Sequence, residues 1–125
     1  MELGRMKIFP VSDGSFRLDG GAMFGVVPRA IWEKVSPPDE LNRVSLGINA
    51  LLIQADSKNI LVDTGIGNKG SAKFNSIYAI DKKETLLGSL CALGITPAQI
   101  DTVICTHLHF DHAGGNTVSE GGILK

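Results

Sequence analysis

The chain has no long apolar run. None is longer than Ala50 to Ile53, which falls far short of the roughly 20 residues needed to cross a bilayer. Its start, Met1-Glu2-Leu3-Gly4-Arg5-Met6-Lys7, carries no apolar core followed by a small-residue cleavage site. A soluble, unexported, cytoplasmic protein without a membrane partner is expected. An excess of one charge is also missing: 12 Lys and Arg against 13 Asp and Glu leave a net charge of −1, with no basic cluster. Such a chain has no field to attract a polyanion, so nucleic acid is not an expected partner. Cysteine is scarce. Cys91 and Cys105 form no C-x-x-C pair, and two thiols do not make a disulfide scaffold. Both are expected to be reduced, Cys105 buried at a strand end and Cys91 on a helix face. Histidine is equally scarce, and all 3 histidines lie between His107 and His112.

That concentration is the strongest chemical signal in the sequence. Thr106-His107-Leu108-His109-Phe110-Asp111-His112-Ala113-Gly114-Gly115 reads H-x-H-x-D-H with a glycine pair behind it. Neutral imidazole nitrogens with a hard carboxylate oxygen suit zinc or a similar divalent cation. In an extended segment His107 and His109 point the same way, because side chains repeat every second residue. Asp111 and His112 follow on the turn into the next element and face a neighbouring position. A bland alternative, a turn aspartate capping a helix beside surface histidines, does not account for three histidines gathered here and absent elsewhere. His107, His109, Asp111 and His112 are therefore the candidate metal ligands.

The rest of the chain reads as α/β. Its 43% hydrophobic content excludes general disorder. Lys7 to Val11 and Ser15 to Leu18, separated by Ser12-Asp13-Gly14, read as a strand pair with a tight turn. Ser45 to Ala55 and Asn59 to Val62 should pair as a hairpin at the centre of a sheet. Thr85 to Leu93 is an amphipathic helix with Leu86, Leu87, Leu90 and Leu93 on one face, ended by Gly94. Thr96-Pro97 opens a short helical turn, and Asp101 to Cys105 is expected as the buried strand that delivers the histidines. Gly20 to Pro38 reads as a long loop with one helical turn at Arg29 to Lys34. Met23 and Phe24 at its apex either line an apolar pocket or pack down onto the sheet edge.

Gly65-Ile66-Gly67-Asn68-Lys69-Gly70 matches G-x-G-x-x-G after a strand, yet it is not read as a dinucleotide site. The fingerprint places its last glycine inside an opening helix and an acidic residue about twenty positions on, at the tip of a second strand. Ser71 to Ile80 shows no clean helical stripe, and Asp81 and Glu84 introduce a helix. No G-K-[ST] follows, so a Walker-type phosphate site is excluded too. The glycines are expected to let the backbone turn sharply beneath the metal site.

The H-x-H-x-D-H stretch resembles the signature of the metallo-β-lactamase superfamily. Asn59-Ile60-Leu61-Val62-Asp63-Thr64-Gly65 resembles that superfamily's other early mark, a strand ending in aspartate and glycine. Leu18 to Pro28 and Leu41-Asn42-Arg43-Val44 look like the amino-terminal region of the N-acyl homoserine lactonases of the quorum-quenching type. This resemblance implies an αββα sandwich, of which residues 1–125 are the N-terminal half, a mixed β-sheet with flanking helices. It implies a supporting role for Asp63, holding the histidines without ligating metal. It also implies that the remaining ligands, a third histidine for one ion and an aspartate and histidine for the other, come from downstream segments. No histidine follows His112. The uncovered side of such a half-sandwich predicts a homo-oligomer or a complementary C-terminal half as partner.

The implied chemistry is metal-dependent hydrolysis with two zinc ions. A metal-bound hydroxide opens a lactone or other ester, an N-acyl homoserine lactone first among them, and Asp111 carries a proton to the leaving group. Thioester, phosphotriester and β-lactam hydrolysis are alternatives within the superfamily. The rival from another class is a non-catalytic half-domain that binds metal weakly, since this chain offers each ion two ligands and catalytic zinc usually has three.

Overall fold

Alternating apolar residues draw the chain into one mixed sheet, seen in a computed structural model that describes residues 1–125. A short strand β1 (Glu2–Leu3) leads into β2 (Met6–Asp19), which pairs antiparallel with β3 (Arg43–Ala55). Strand β4 (Lys58–Val62) completes the expected hairpin with β3, and β5 (Thr102–Ile104) joins β4 in parallel. The spatial order is β1-β2-β3-β4-β5, so β3 is central and β5 is an edge. Along β3 the parity is clear. Val44, Ile48, Ala50 and Leu52 are buried, while Ser45, Gly47, Asn49 and Leu51 are exposed.

Two of the strand expectations need correction. Residues 6–19 are one strand, not two joined by a tight turn. Both halves pair with β3, from Lys7 opposite Gln54 to Asp19 opposite Arg43, and Asp13-Gly14, between the paired Ser12 and Ser15, form a bulge within that ladder. The reason is Asp13, whose carboxylate turns inward to accept backbone N–H groups from other segments instead of capping a local turn. Strand β5 is exposed along its whole length, not buried, because among residues 1–125 only β4 packs substantially against it: Val103 is 47% and Ile104 49% exposed. Cys105, just past it, is half-buried and Cys91 is exposed; both are free thiols.

The residues between β2 and β3 hold two short helices where a mostly irregular loop was expected. Helix α1 (Gly20–Phe24) is started by Asp19, whose side chain accepts the Ala22 N–H at 3.0 Å, and α2 (Arg29–Trp32) follows. Trp32 is buried against Gly20, and Phe24 stacks on Trp32 with ring centroids 4.7 Å apart. Phe24 thus packs within this segment, while Met23 stays 42% exposed.

Residues 71–80 also form more helix than their pattern suggested. Helix α3 (Ala72–Ile77) begins where the Ser71 hydroxyl accepts the Phe74 N–H at 3.2 Å. Gly70 precedes this helix and does not lie inside it, which leaves the dinucleotide fingerprint incomplete. The amphipathic helix α4 (Leu86–Ala92) forms as expected, capped by Thr85 and ended near Gly94. Its Leu86 and Leu90, with Ile95, pack on Val11, Ala50, Leu52 and Leu61 of the sheet to make the main core. Each such fully buried leucine contributes about 1.5–3 kcal/mol. A 3₁₀ turn at Pro97–Gln99 leads into β5. Helix α5 (Phe110–Ala113) then carries part of the histidine motif, and a small hairpin of β6 (Ser119–Glu120) and β7 (Ile123–Leu124) follows.

Candidate metal centre

The histidine segment leaves the end of β5 beside the end of β4, so two sequence marks far apart in the chain meet. Asp63 is the junction. Its N–H donates to the Ile104 carbonyl at 2.8 Å, extending the β4–β5 pairing by one residue. Its Oδ1 accepts the Thr106 N–H at 2.8 Å, and both its oxygens accept the Thr106 hydroxyl, at 3.0 and 2.8 Å. Its Oδ2 lies 2.9 Å from His112 Nδ1. Burial pushes the Asp63 carboxyl up, but the bonds from His112 and from the N–H and hydroxyl of Thr106 outweigh it and hold the group below the usual carboxylate range. An ionised Asp63 fixes the proton of His112 on Nδ1 and leaves the lone pair of Nε2 free to bind a metal.

The four candidate ligands come together as two pairs. His107 Nε2 faces His109 Nδ1 at 3.0 Å, and the His107 and His112 ring centroids are 4.0 Å apart. His112 Nε2 faces Asp111 Oδ2 at 3.3 Å. Two nitrogens bound to one zinc at a tetrahedral angle lie about 3.4 Å apart. Each pair therefore has the spacing and chemistry of two ligands of one ion. No three His, Cys, Asp or Glu side chains converge on a single point. The residues present thus fit a pair of metal positions in part: two donors each, where catalytic zinc usually has three protein ligands.

Several supporting residues had not stood out in the sequence. Phe110, inside the motif, packs edge-on against Phe16 of β2 and Phe74 of α3, at 5.7 and 5.4 Å, and against Tyr78 at 4.9 Å. These aromatics anchor the helix that presents Asp111 and His112. The spacing of Phe74 and Tyr78, one helical turn apart, was the available signal. Thr64 donates its N–H to the His112 carbonyl at 2.7 Å, and its hydroxyl bonds Asn116 Oδ1 at 2.9 Å. Beside this support, a cavity of about 470 Å³ opens between the 64–70 turn, α3 and the start of α4, with Asp13 and Lys82 on its wall. The candidate ligands do not line it.

A mixed sheet with flanking helices, presenting a histidine-aspartate loop where β4 and β5 run in parallel, is the half-sandwich architecture of a metallohydrolase domain. The sequence profile of the metallo-beta-lactamase superfamily matches residues 44–118, and the chain belongs to that superfamily. It is similar to the N-acyl homoserine lactonase AiiB of Agrobacterium fabrum, 29% identical over 117 residues, covering 86% of this chain and 42% of the relative. Among solved structures it resembles a probable metal-dependent hydrolase from Staphylococcus aureus, with TM-score 0.88 and 38% identity over 95% of this chain and 43% of the other. It also resembles AidC, a dizinc quorum-quenching lactonase solved with a product homoserine, with TM-score 0.69 and 26% identity over 95% of this chain and 38% of the other. The chain thus spans less than half the length of these relatives. Its fold is that of the N-terminal half of the αββα sandwich.

Proposed function

We propose that the chain supplies half of the active site of a zinc-dependent hydrolase that opens lactones, with N-acyl homoserine lactones as the first substrates to test. The observation that carries this reading is the Asp63–His112 pair at 2.9 Å beside His107, His109 and Asp111. A buried carboxylate bonded to the far nitrogen of a ligating histidine is the usual outer support of a zinc site. His107 and His109 would hold one ion, and Asp111 and His112 the other. When bound, the ions supply Lewis-acid polarisation of a carbonyl and a water acidified toward neutral pH.

The protein's own groups then do the rest. Asp63 keeps His112 in the tautomer that ligates. Asp111, half-buried on α5, would take on Oδ1 the proton released by the attacking water and pass it to the departing ring alkoxide. Residues 1–125 form one partial domain, and the missing donors come from a complementary C-terminal half, in the same polypeptide or as a partner; a cytoplasmic setting belongs to the same reading. The test pairs zinc titration with pH-stat hydrolysis of N-hexanoyl homoserine lactone. Residues 1–125 alone should bind zinc weakly and turn over negligibly, while a form supplied with the complementary half should do both. Two tightly held ions with turnover in residues 1–125 alone would defeat the half-site reading, and no zinc uptake with the complement present would defeat the metal assignment.

A further inference from the structure

Asp13 is a buried carboxylate that the hydrolytic reading does not use. It is 4% exposed. Its Oδ2 accepts the N–H groups of Ile66 and Gly67, at 2.9 and 3.1 Å, and its Oδ1 accepts the N–H of Leu86, the first residue of α4, at 2.9 Å. Lys82 Nζ sits 2.5 Å from Oδ2 and also donates to the Asp13 carbonyl at 3.0 Å. Four donors on one carboxylate are far more than a strand bulge needs for its own geometry. They tie three separate segments, β2, the 65–67 turn and the start of α4, to a single point.

The turn held this way is itself the floor of the histidine motif. Gly67 has φ +69°, and a Cβ there would come within 2.6 Å of the Gly114 carbonyl oxygen. Side chains at Gly114 and Gly115 would run into the backbones of Ile66 and Thr64 in the same way. The contact is bonded as well as close: Gly115 N–H donates to the Gly65 carbonyl at 3.2 Å, and Thr64 N–H to the His112 carbonyl. Backbone lies on backbone, so a displacement of the turn passes to residues 112–115 with no flexible side chain to absorb it.

We infer that Asp13 is a positioning residue for the metal loop: it fixes the 65–67 turn, and that turn sets where α5 presents Asp111 and His112. The metal consequence rests on the function proposed above; the positional consequence does not. A residue that merely adds stability would loosen the whole molecule evenly, whereas Asp13 should loosen one column of it.

The experiment is amide hydrogen exchange on Asp13→Asn, with Leu90→Ala as a control that weakens the main core. In Asp13→Asn the amides of Thr64, Ala113 and Gly115 should exchange at least tenfold faster relative to those of Leu52 and Ile53 in the β3–β4 hairpin. In Leu90→Ala the two groups should move together. Gly67→Ala, which presses on Gly114 from the other side, should reproduce the selective pattern and serves if Asp13→Asn does not fold. Zinc competition against a chromophoric chelator, on protein supplied with its complementary half, should show at least tenfold weaker binding in Asp13→Asn. Uniform exchange in both Asp13→Asn and Gly67→Ala would overturn the inference. Selective exchange in a protein that takes up no zinc would leave the positioning intact and sink the hydrolase reading instead.

Discussion

The two ends of the sheet are held together by different physics. Under α4, seven apolar side chains from Val11 to Ile95 bury one another, and Leu52 is wholly inaccessible. At the far end of β4 and β5 His107 and His109 are exposed and His112 is half-buried, and order comes from two buried carboxylates, Asp63 and Asp13, and from the aromatic seat of Phe110. The first region is non-directional and stabilises; the second is directional and aims. A site that must leave nitrogens free for ligands cannot be buried in hydrocarbon, so its geometry is enforced from behind by hydrogen bonds.

Substitutions should separate the two regions. The largest effect is expected from Leu52→Ala, which leaves a cavity in the core and should cost about 2–5 kcal/mol. Urea denaturation should show that loss while zinc affinity, measured below the transition with the complementary half present, changes little. A parallel fall in zinc affinity would mean the regions are not separable. Next come His107→Ala and His109→Ala in the same complemented form: lactone turnover should fall beyond about a hundredfold, above the range for outer supports, with little change in urea midpoint because both side chains are exposed. Asp63→Asn should cost zinc affinity about 10–100-fold, read by chelator competition, because the amide cannot fix the His112 tautomer as a carboxylate does.

The smallest effect is the response to acid. The Asp39 carboxyl is held below its ordinary value of 3.8 by the Arg43 N–H, and that of Asp101 by Lys58 and the Asn59 N–H. A folded value below the unfolded one means the native state binds fewer protons, so the stability these groups contribute is present above pH 3.8 and lost as pH falls through the lower folded values. The urea midpoint should therefore drop below that pH, and Asp101→Asn should flatten the drop. Asp101→Asn leaving the acid slope unchanged would remove it from the cause.

Much of this arrangement could be read from residue order. The β3–β4 hairpin and α4 follow from strong periodicity, and the metal motif from three histidines of distinctive chemistry in one place. What was not legible depended on partners distant in sequence. Asp13 looks like a turn residue because aspartate beside glycine starts turns. Its real role appears only when residues 66, 67 and 86 arrive around it. The parity it shares with buried Val11 was a clue that it points inward. Likewise β5 reads as a core strand from its composition, and its exposure is decided by what residues 1–125 pack against it, which a single strand does not encode.

The parallel pairing of β4 with β5 also bears on how the molecule assembles. Asp63 and Thr106 are 43 residues apart in sequence, whereas the β3–β4 hairpin closes across Asp56 and Ser57. Loop closure costs more entropy for the longer span, and distant pairings slow folding. The hairpin is expected to form early and the histidine loop to dock onto it last. Thr106→Ala should then quicken unfolding and leave the folding rate alone in stopped-flow traces; slowed folding would place the docking in the nucleus. In this order of events the chemistry is installed on a frame already built, and the frame can be made without it.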